Sequence, residues 1–340
     1  YNGTEGGEDT VDKVFLLSES EAYTNNAKAY GFASDYDVDD EARRAKSSVY
    51  AKALGTWSWS MGSVSYVGNC QWWLRSPGFY SNNAAAVDSD GWSHMITNYV
   101  YAPYGVRPAL NLNLTAPSDS GTKVWSYAGT VCSDGTVNEK VPSDNVSFSN
   151  PRIEEDNSME ASQRVTWDCA WFGSYPQAEV VPAGDDLSDK DLPKQGNLIK
   201  DSTLYQKLQS AAGWDKNGDI TLDGGKYRKI ERKGYNKSTI HYYKYQPIKW
   251  RVLSVDSSKA FLLADRILDD MPYHTVKEDI TWEESTVRSW LNGYDASANK
   301  QKQDYSGQNF IQSAFDTSGQ SAILVTDVEN QDNLSFGTEG

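Results

Sequence analysis

Cys70-Gln71-Trp72-Trp73-Leu74-Arg75-Ser76-Pro77-Gly78 is the most distinctive run in the chain, and Gly105-Val106-Arg107-Pro108-Ala109-Leu110 completes it. Two adjacent tryptophans, an arginine and a Pro-Gly turn, then a second arginine ahead of an apolar strand, read as one construction. A tryptophan face packs in a core or stacks on a guanidinium, and a buried arginine needs acceptors held in place. On this reading Trp72, Trp73, Arg75 and Arg107 are scaffold. The competing reading makes them an aromatic and arginine ligand site.

Outward from this run, the chain separates into three zones by texture. Residues 1–114 are aromatic and structured. Residues 115–164 are poor in large apolar groups and rich in Ser, Asp, Asn and Pro, a hairpin followed by a linker. Residues 165–340 are dense again. Short apolar stretches (KVFLLS, AFLLAD, HYYKYQ, IKWRVLSV, AILVTD and the GVRPAL segment) read as strands. Asp90-Gly91, Asp134-Gly135 and Asp223-Gly224 mark tight hairpins.

Helices are expected where caps and stripes coincide. Ser18 with Glu21 forms a capping box, and a helix is expected from Asp39 to Leu54 with Gly55 as its stop. Another covers 202–212. Thr281 and Glu284 read as a second capping box, opening a helix that buries Val287, Trp290 and Leu291 before Gly293. A last helix carries Phe310, Ile311, Ala314 and Phe315. Helices and strands do not alternate as βαβ units, so the expected class is α+β, with small twisted antiparallel sheets and short flanking helices.

The chain has 340 residues, with Asp+Glu 47 against Lys+Arg 32 and a net charge of -15. Such a balance opposes tracking of nucleic-acid phosphates or an anionic membrane surface. No apolar run reaches the roughly 18 residues of a membrane span, so neither nucleic acid nor membrane insertion is expected. Trp 12 and Tyr 21 are high beside Met 4. Amphipathic rings among small polar residues suit extracellular binding modules. The opening YNGTEGGEDT shows no signal-peptide pattern and reads as the start of a mature or trimmed chain.

The WWLRSPG…GVRPAL pair, the WDCAWFGSYPQ stretch at Trp167–Gln177, and YQPIKWRVL and VRSWLNG resemble an uncharacterised domain repeated in secreted multidomain bacterial surface proteins. Arg-Ser followed by Gly-aliphatic-Arg-Pro in a final strand is also similar to C-type-lectin-like folds of the formylglycine-generating-enzyme kind. The resemblance implies a C-type-lectin-like fold and an order in which WFGSYPQ comes first and GVRPAL last. Residues 1–114 would then be the C-terminal half of the repeat domain and 165–340 its N-terminal half. The two would complement each other within one chain or between chains. Gly3-Thr4-Glu5-Gly6 and Gly337-Thr338-Glu339-Gly340 echo each other as cut ends of a tandem repeat would.

Catalysis finds little support. His94, His241 and His274 lie far apart, outside any zinc spacing, and no GxSxG elbow is present. Ser93-His94 beside Asp88 and Asp90 reads as a loop. Cys70 reads as a packed thiol, and Cys132 and Cys169 could form one bridge. Calcium is the one ion the carboxylate spacings admit, at Asp35, Asp37 and Asp39 or at Asp215, Asn217 and Asp219. Both depart from the EF-hand glycine and glutamate positions, so no metal or cofactor is assigned.

The sharpest site is aromatic. In C-type-lectin-like folds the loops before the last strand form the ligand face, which places a site at Trp92, Asn98, Tyr99, Tyr101 and Tyr104. Trp57 and Trp59 alternate in another Ser/Gly-rich loop. The expected function is a non-catalytic extracellular bacterial surface module binding a protein or carbohydrate ligand through these loops. The alternative is a self-associating repeat unit of a surface fibre or stalk, assembled head to tail.

Overall fold

The strand GVRPAL is divided at its centre. Pro108 has no N–H to give a ladder, and the chain passes there from β6 (Pro103–Val106) into β7 (Ala109–Asn113), which belong to different sheets. This comes from a computed structural model describing residues 4–35, 38–61, 64–94, 98–117, 121–143, 145–184, 198–231 and 240–333. Asp37 and the closing Gly337–Gly340 lie outside the described residues.

Ahead of β6 come β1 (Thr10–Asp12), β2 (Val14–Phe15), α1 (Glu19–Tyr23), α2 (Asn25–Ala29), α3 (Val49–Leu54), β3 (Trp72–Pro77), β4 (Ala84–Val87) and β5 (Ser93–His94). The middle zone holds β8 (Trp125–Cys132), β9 (Val137–Ser143) and β10 (Arg152–Glu155). The rest runs β11 (Gln163–Val181), β12 (Leu198–Lys200), α4 (Ser202–Ser210), β13 (Asp219–Leu222), β14 (Gly225–Ile230), β15 (His241–Val255), β16 (Lys259–Ala264) and β17 (Asp269–Pro272). It closes with α5 (Thr286–Asn292), α6 (Phe310–Ala314), α7 (Thr317–Ala322) and β18 (Thr326–Val328).

Three sheets result among the described residues. Eleven strands share one sheet, whose main path is β2-β7-β16-β15-β11-β8-β9. Five share another in the order β17-β6-β3-β4-β5, and β1 pairs β18. Residues 1–114 and the last third of the chain therefore hydrogen-bond directly, with Leu110 opposite Leu262, Gly105 opposite Asp270 and Val11 opposite Asp327. Asp12 ties the same two stretches by side chain: it is buried and accepts from Arg288 (2.9 Å), Trp282 (3.1 Å) and Tyr294 (3.0 Å).

The expected α+β, C-type-lectin-like class is overturned. The chain is mostly β, with 39% strand against 15% helix. Two features explain the misreading. HYYKYQ and IKWRVLSV fuse into the single β15, and β11 runs unbroken for 19 residues, although Gly173, Pro176 and Pro247 punctuate them. The sheet absorbs these breakers as register shifts between Trp171 and Ser174 and between Pro176 and Ala178.

The helices are also shorter than their signals. The Asp39–Leu54 helix is reduced to α3, capped by Ser48. The Asp40 carboxylate instead folds onto the N–H groups of Ala33 and Ala42, and buried Arg43 takes five backbone carbonyls. α5 begins four residues late, capped by Ser285 rather than Thr281, because Trp282 is drawn inward by Asp12. The Ser18–Glu21 capping box is formed. Each Asp-Gly pair joins antiparallel strands. At Gly91 a side chain could not be accommodated: φ is +92° and a Cβ would sit 2.1 Å from the Asp40 carbonyl oxygen.

All three cysteines are free. Cys132 stands opposite Thr166 while Cys169 is three residues further along β11, about 10 Å, beyond the reach of a disulfide.

Candidate binding surface

Trp72 and Trp73 alternate across β3, yet both are fully buried, because the five-stranded sheet is covered on both faces. Arg107 lies over the Trp72 ring at 4.8 Å. It donates to the carbonyls of Ala264 (2.8 Å) and Arg43 (3.2 Å), and the Arg43 carbonyl also takes the Trp72 indole N–H. Burial, with the charge of Arg251 beside it, pushes the Arg107 pKa well down against the pull of Asp265. Trp73 donates to the Met271 carbonyl and meets Tyr104 edge-on at 4.5 Å. Arg75 binds Glu21 at 2.6 Å and the carbonyls of Leu16 and Glu329. Trp290 is half-buried against Phe310. Arg251 repeats the pattern over Trp167 at 4.8 Å, as does Arg43 over Tyr23 at 4.1 Å. These residues form a buried arginine–aromatic frame that fastens one stretch of chain to the other.

The five loop residues fall into three environments. Val100 is buried and its neighbours Tyr99 and Tyr101 therefore face outward, each 40% exposed. Their rings stack at 5.5 Å with an interplanar angle of 25°. Lys277 places its ammonium 4.9 Å from the Tyr99 ring and 6.0 Å from the Tyr101 ring, and among the described residues it forms no ion pair. The backbone holding this pair is shared: Val100 donates to Asn82 and accepts from His274. Asn98 and Tyr104 stand behind it. Asn98 is fully buried and accepts from the Tyr104 hydroxyl at 3.1 Å, so both shape the support rather than the surface.

Trp92 belongs to the other end of the sheet. Its carbonyl accepts from Asp88, whereas Tyr99 bridges Asn83, five residues back along the same strand. That separation is about 16 Å. At this end Arg44 donates to the Asp90 carbonyl and to Ser65, and lies over Tyr66. Tyr66, Trp59 and Trp57 meet edge to face in succession, with Trp57 51% exposed. Lys277, Tyr66 and Arg44 were not singled out from sequence. Tyr66 lies in the Ser/Gly-rich stretch that carries Trp57 and Trp59, and Arg44 falls within the helix expected from Asp39 to Leu54; for Lys277 no local signal exists, because the fold alone carries it 176 residues to the tyrosines.

Chemical groups of other kinds are engaged elsewhere. His241 pairs with Glu179 at 2.8 Å, both buried, and His274 pairs with Glu278 at 2.9 Å. The Cys70 and Cys169 thiols are pushed up by burial, away from thiolate reactivity. Among the described residues no three His, Cys, Asp or Glu side chains gather as a metal needs. Asp215 turns its carboxylate onto the N–H groups of Asn217 and Asp219, and Asp219 is occupied by Arg228 and Tyr245. Asp35 offers its carbonyl to Arg43.

A mostly-β protein, framed by buried arginine–aromatic pairs and ending in exposed aromatic loops, is the class defined here. The chain belongs to the DUF6273 family, a domain of unknown function, whose model matches residues 1–114 and 257–340. No curated protein and no solved structure matches it. The two matched stretches are those joined through β7 with β16, β6 with β17 and β1 with β18.

Proposed function

We propose that this protein is a non-catalytic extracellular module of a bacterial surface protein that binds a glycan through its aromatic ends. The stacked, exposed pair Tyr99 and Tyr101 carries the reading. The outer face of the stacked phenols offers a flat apolar surface to the C–H face of a sugar ring while their hydroxyls stay in water. The Lys277 ammonium, held at the rim without an ion pair among the described residues, supplies donors to hydroxyl oxygens. Screening the full chain on an immobilised glycan array, beside a Tyr99→Ala/Tyr101→Ala double variant, tests this. Binding that the double variant loses supports it; no glycan bound, or binding that the double variant keeps, refutes it.

Residues 1–114 and 165–340 act on this reading as complementary halves of one module. The antiparallel pairing of β7 with β16 inside the chain supports closure over head-to-tail assembly. Sedimentation at the mass of one chain, 37.8 kDa, is the expected result; concentration-dependent filaments would overturn it.

A further inference from the structure

The eleven-stranded sheet carries a groove of about 720 Å³ beside β11 and β15. Most of its lining, from Val137 to Lys249, lies outside the stretches matched by the family model. The groove sits where β11 bulges against β15, and Gln177 closes that bulge by donating to the carbonyls of Gln246 and Pro247, both at 3.0 Å. Its two amide hydrogens are thereby used, and its carbonyl oxygen is the acceptor it has to offer. Trp171 is half-buried on Ala128, Val131 and Cys169, with the Lys249 ammonium 4.9 Å from its ring. Among the described residues Lys249 is paired only with Glu139, an exposed carboxylate held by a surface ion pair of little net strength.

In a chain of net charge -15, the groove lining balances two carboxylates, Glu139 and Asp265, with two cations, Lys249 and Arg266. Asp265 is bound by Arg251 at 2.7 Å. Burial would raise the Asp265 pKa, but Arg251, Arg266 and Arg107 together hold it below the ordinary range. Of these, Arg251 is already bound to Asp265 and Arg107 is buried against Trp72, which leaves Arg266. Arg266 is exposed at the rim and makes no hydrogen bond or ion pair among the described residues. A free guanidinium fork matches a carboxylate in two parallel hydrogen bonds.

We propose that this groove is a second binding site, for a carboxylate-bearing sugar of the uronic-acid class. Arg266 takes the carboxylate, Lys249 and the amide oxygen of Gln177 take ring hydroxyls, and the Trp171 indole meets the apolar C–H face. The volume falls within the range of small-ligand sites, and the lining is mainly polar around one aromatic wall, as a hydroxyl-rich ligand requires. The site shares no residue with the aromatic ends and stands independently of their role.

The test is titration of the full chain with D-glucuronate, D-glucose or acetate, followed on the tryptophan indole NMR signals, with Trp171→Phe identifying the Trp171 resonance. Glucuronate is expected to move that signal with a Kd on the order of 1 mM. Glucose is expected to bind at least about tenfold more weakly, and acetate to leave the signal in place. Arg266→Gln, a rim substitution that removes no hydrogen bond or ion pair among the described residues, is expected to weaken glucuronate binding by more than about tenfold while the protein keeps a cooperative unfolding transition. Any one of four results would overturn the site: no response to glucuronate, equal binding of glucose, an equal response to acetate, or unaltered affinity in Arg266→Gln.

Discussion

Arg107 over Trp72 and Lys277 over Tyr99 and Tyr101 are the same kind of contact, a cation on an aromatic face at 4.8 and 4.9 Å. Their surroundings differ in every other respect. The first pair is completely buried, and its guanidinium is fixed by two carbonyls from distant parts of the chain. The second is open to water, with each ring 40% exposed and the ammonium free of ion pairs among the described residues. Aromatic–cation chemistry alone therefore does not distinguish a frame from a surface. Burial and the hydrogen bonds behind the cation do.

The comparison is broken most severely at Trp72. Trp72→Ala should lower stability by about 3–5 kcal/mol, read as a fall in the denaturant midpoint; a cost near zero would remove the buried pair from the frame. Arg107→Lys should cost about 1–3 kcal/mol, since the Ala264 carbonyl loses its guanidinium donor while the Arg43 carbonyl keeps the Trp72 N–H. The same exchange reversed, Lys277→Arg, should stay within about 0.5 kcal/mol. Equal costs for the two swaps in chemical denaturation would erase the distinction.

Tyr99→Ala/Tyr101→Ala sharpens the contrast from the other side. Its stability should change by no more than about 0.5 kcal/mol per site, while affinity for an array-identified glycan falls about tenfold or more, measured by calorimetric titration. A protein that unfolds instead would place the pair in the frame.

The smallest expected effect is a pH slope confined to the exposed end. His274, whose N–H supports Val100, is buried with Nδ1 lacking a partner among the described residues. Burial lowers its pKa, outweighing the hydrogen bond and charge of Glu278; Lys300 lowers it further and Glu284 opposes. The unfolded chain then binds the proton more readily, so the contribution is complete above the ordinary histidine pKa near 6.5 and declines as pH falls through it. Glu278, itself held low by His274, Gln301 and Lys300 against burial, adds to the loss in more acid solution. Urea unfolding should show less stability at pH 5 than at pH 7, with a smaller difference in His274→Gln; an identical difference in the variant would contradict this account.

Much of the frame was legible in the sequence. The WWLRSPG and GVRPAL strings announced Trp72, Trp73, Arg75 and Arg107 because large aromatic and charged groups in short apolar strands have few ways to be satisfied. The caps at Ser18 and the turns at Asp-Gly were equally local. Strand length was not legible. Gly173, Pro176 and Pro247 signal interruption in isolation, and only the partner strand turns the interruption into a bulge. The aromatic surface was half legible: Tyr99 and Tyr101 stand together, but Trp92 was grouped with them through the C-type-lectin-like resemblance, and β4 separates it to the opposite end of the sheet.

By itself, then, the sequence determined which side chains must be buried and paired and where the chain turns, since those follow from each residue's own solvation and backbone freedom. Tertiary structure decided what stands beside what. It set β7 against β16, brought Lys277 to the tyrosines, and placed Arg266 at the rim of the groove. Such neighbours are brought together by burial of a core shared across the chain, which is a property of no single segment.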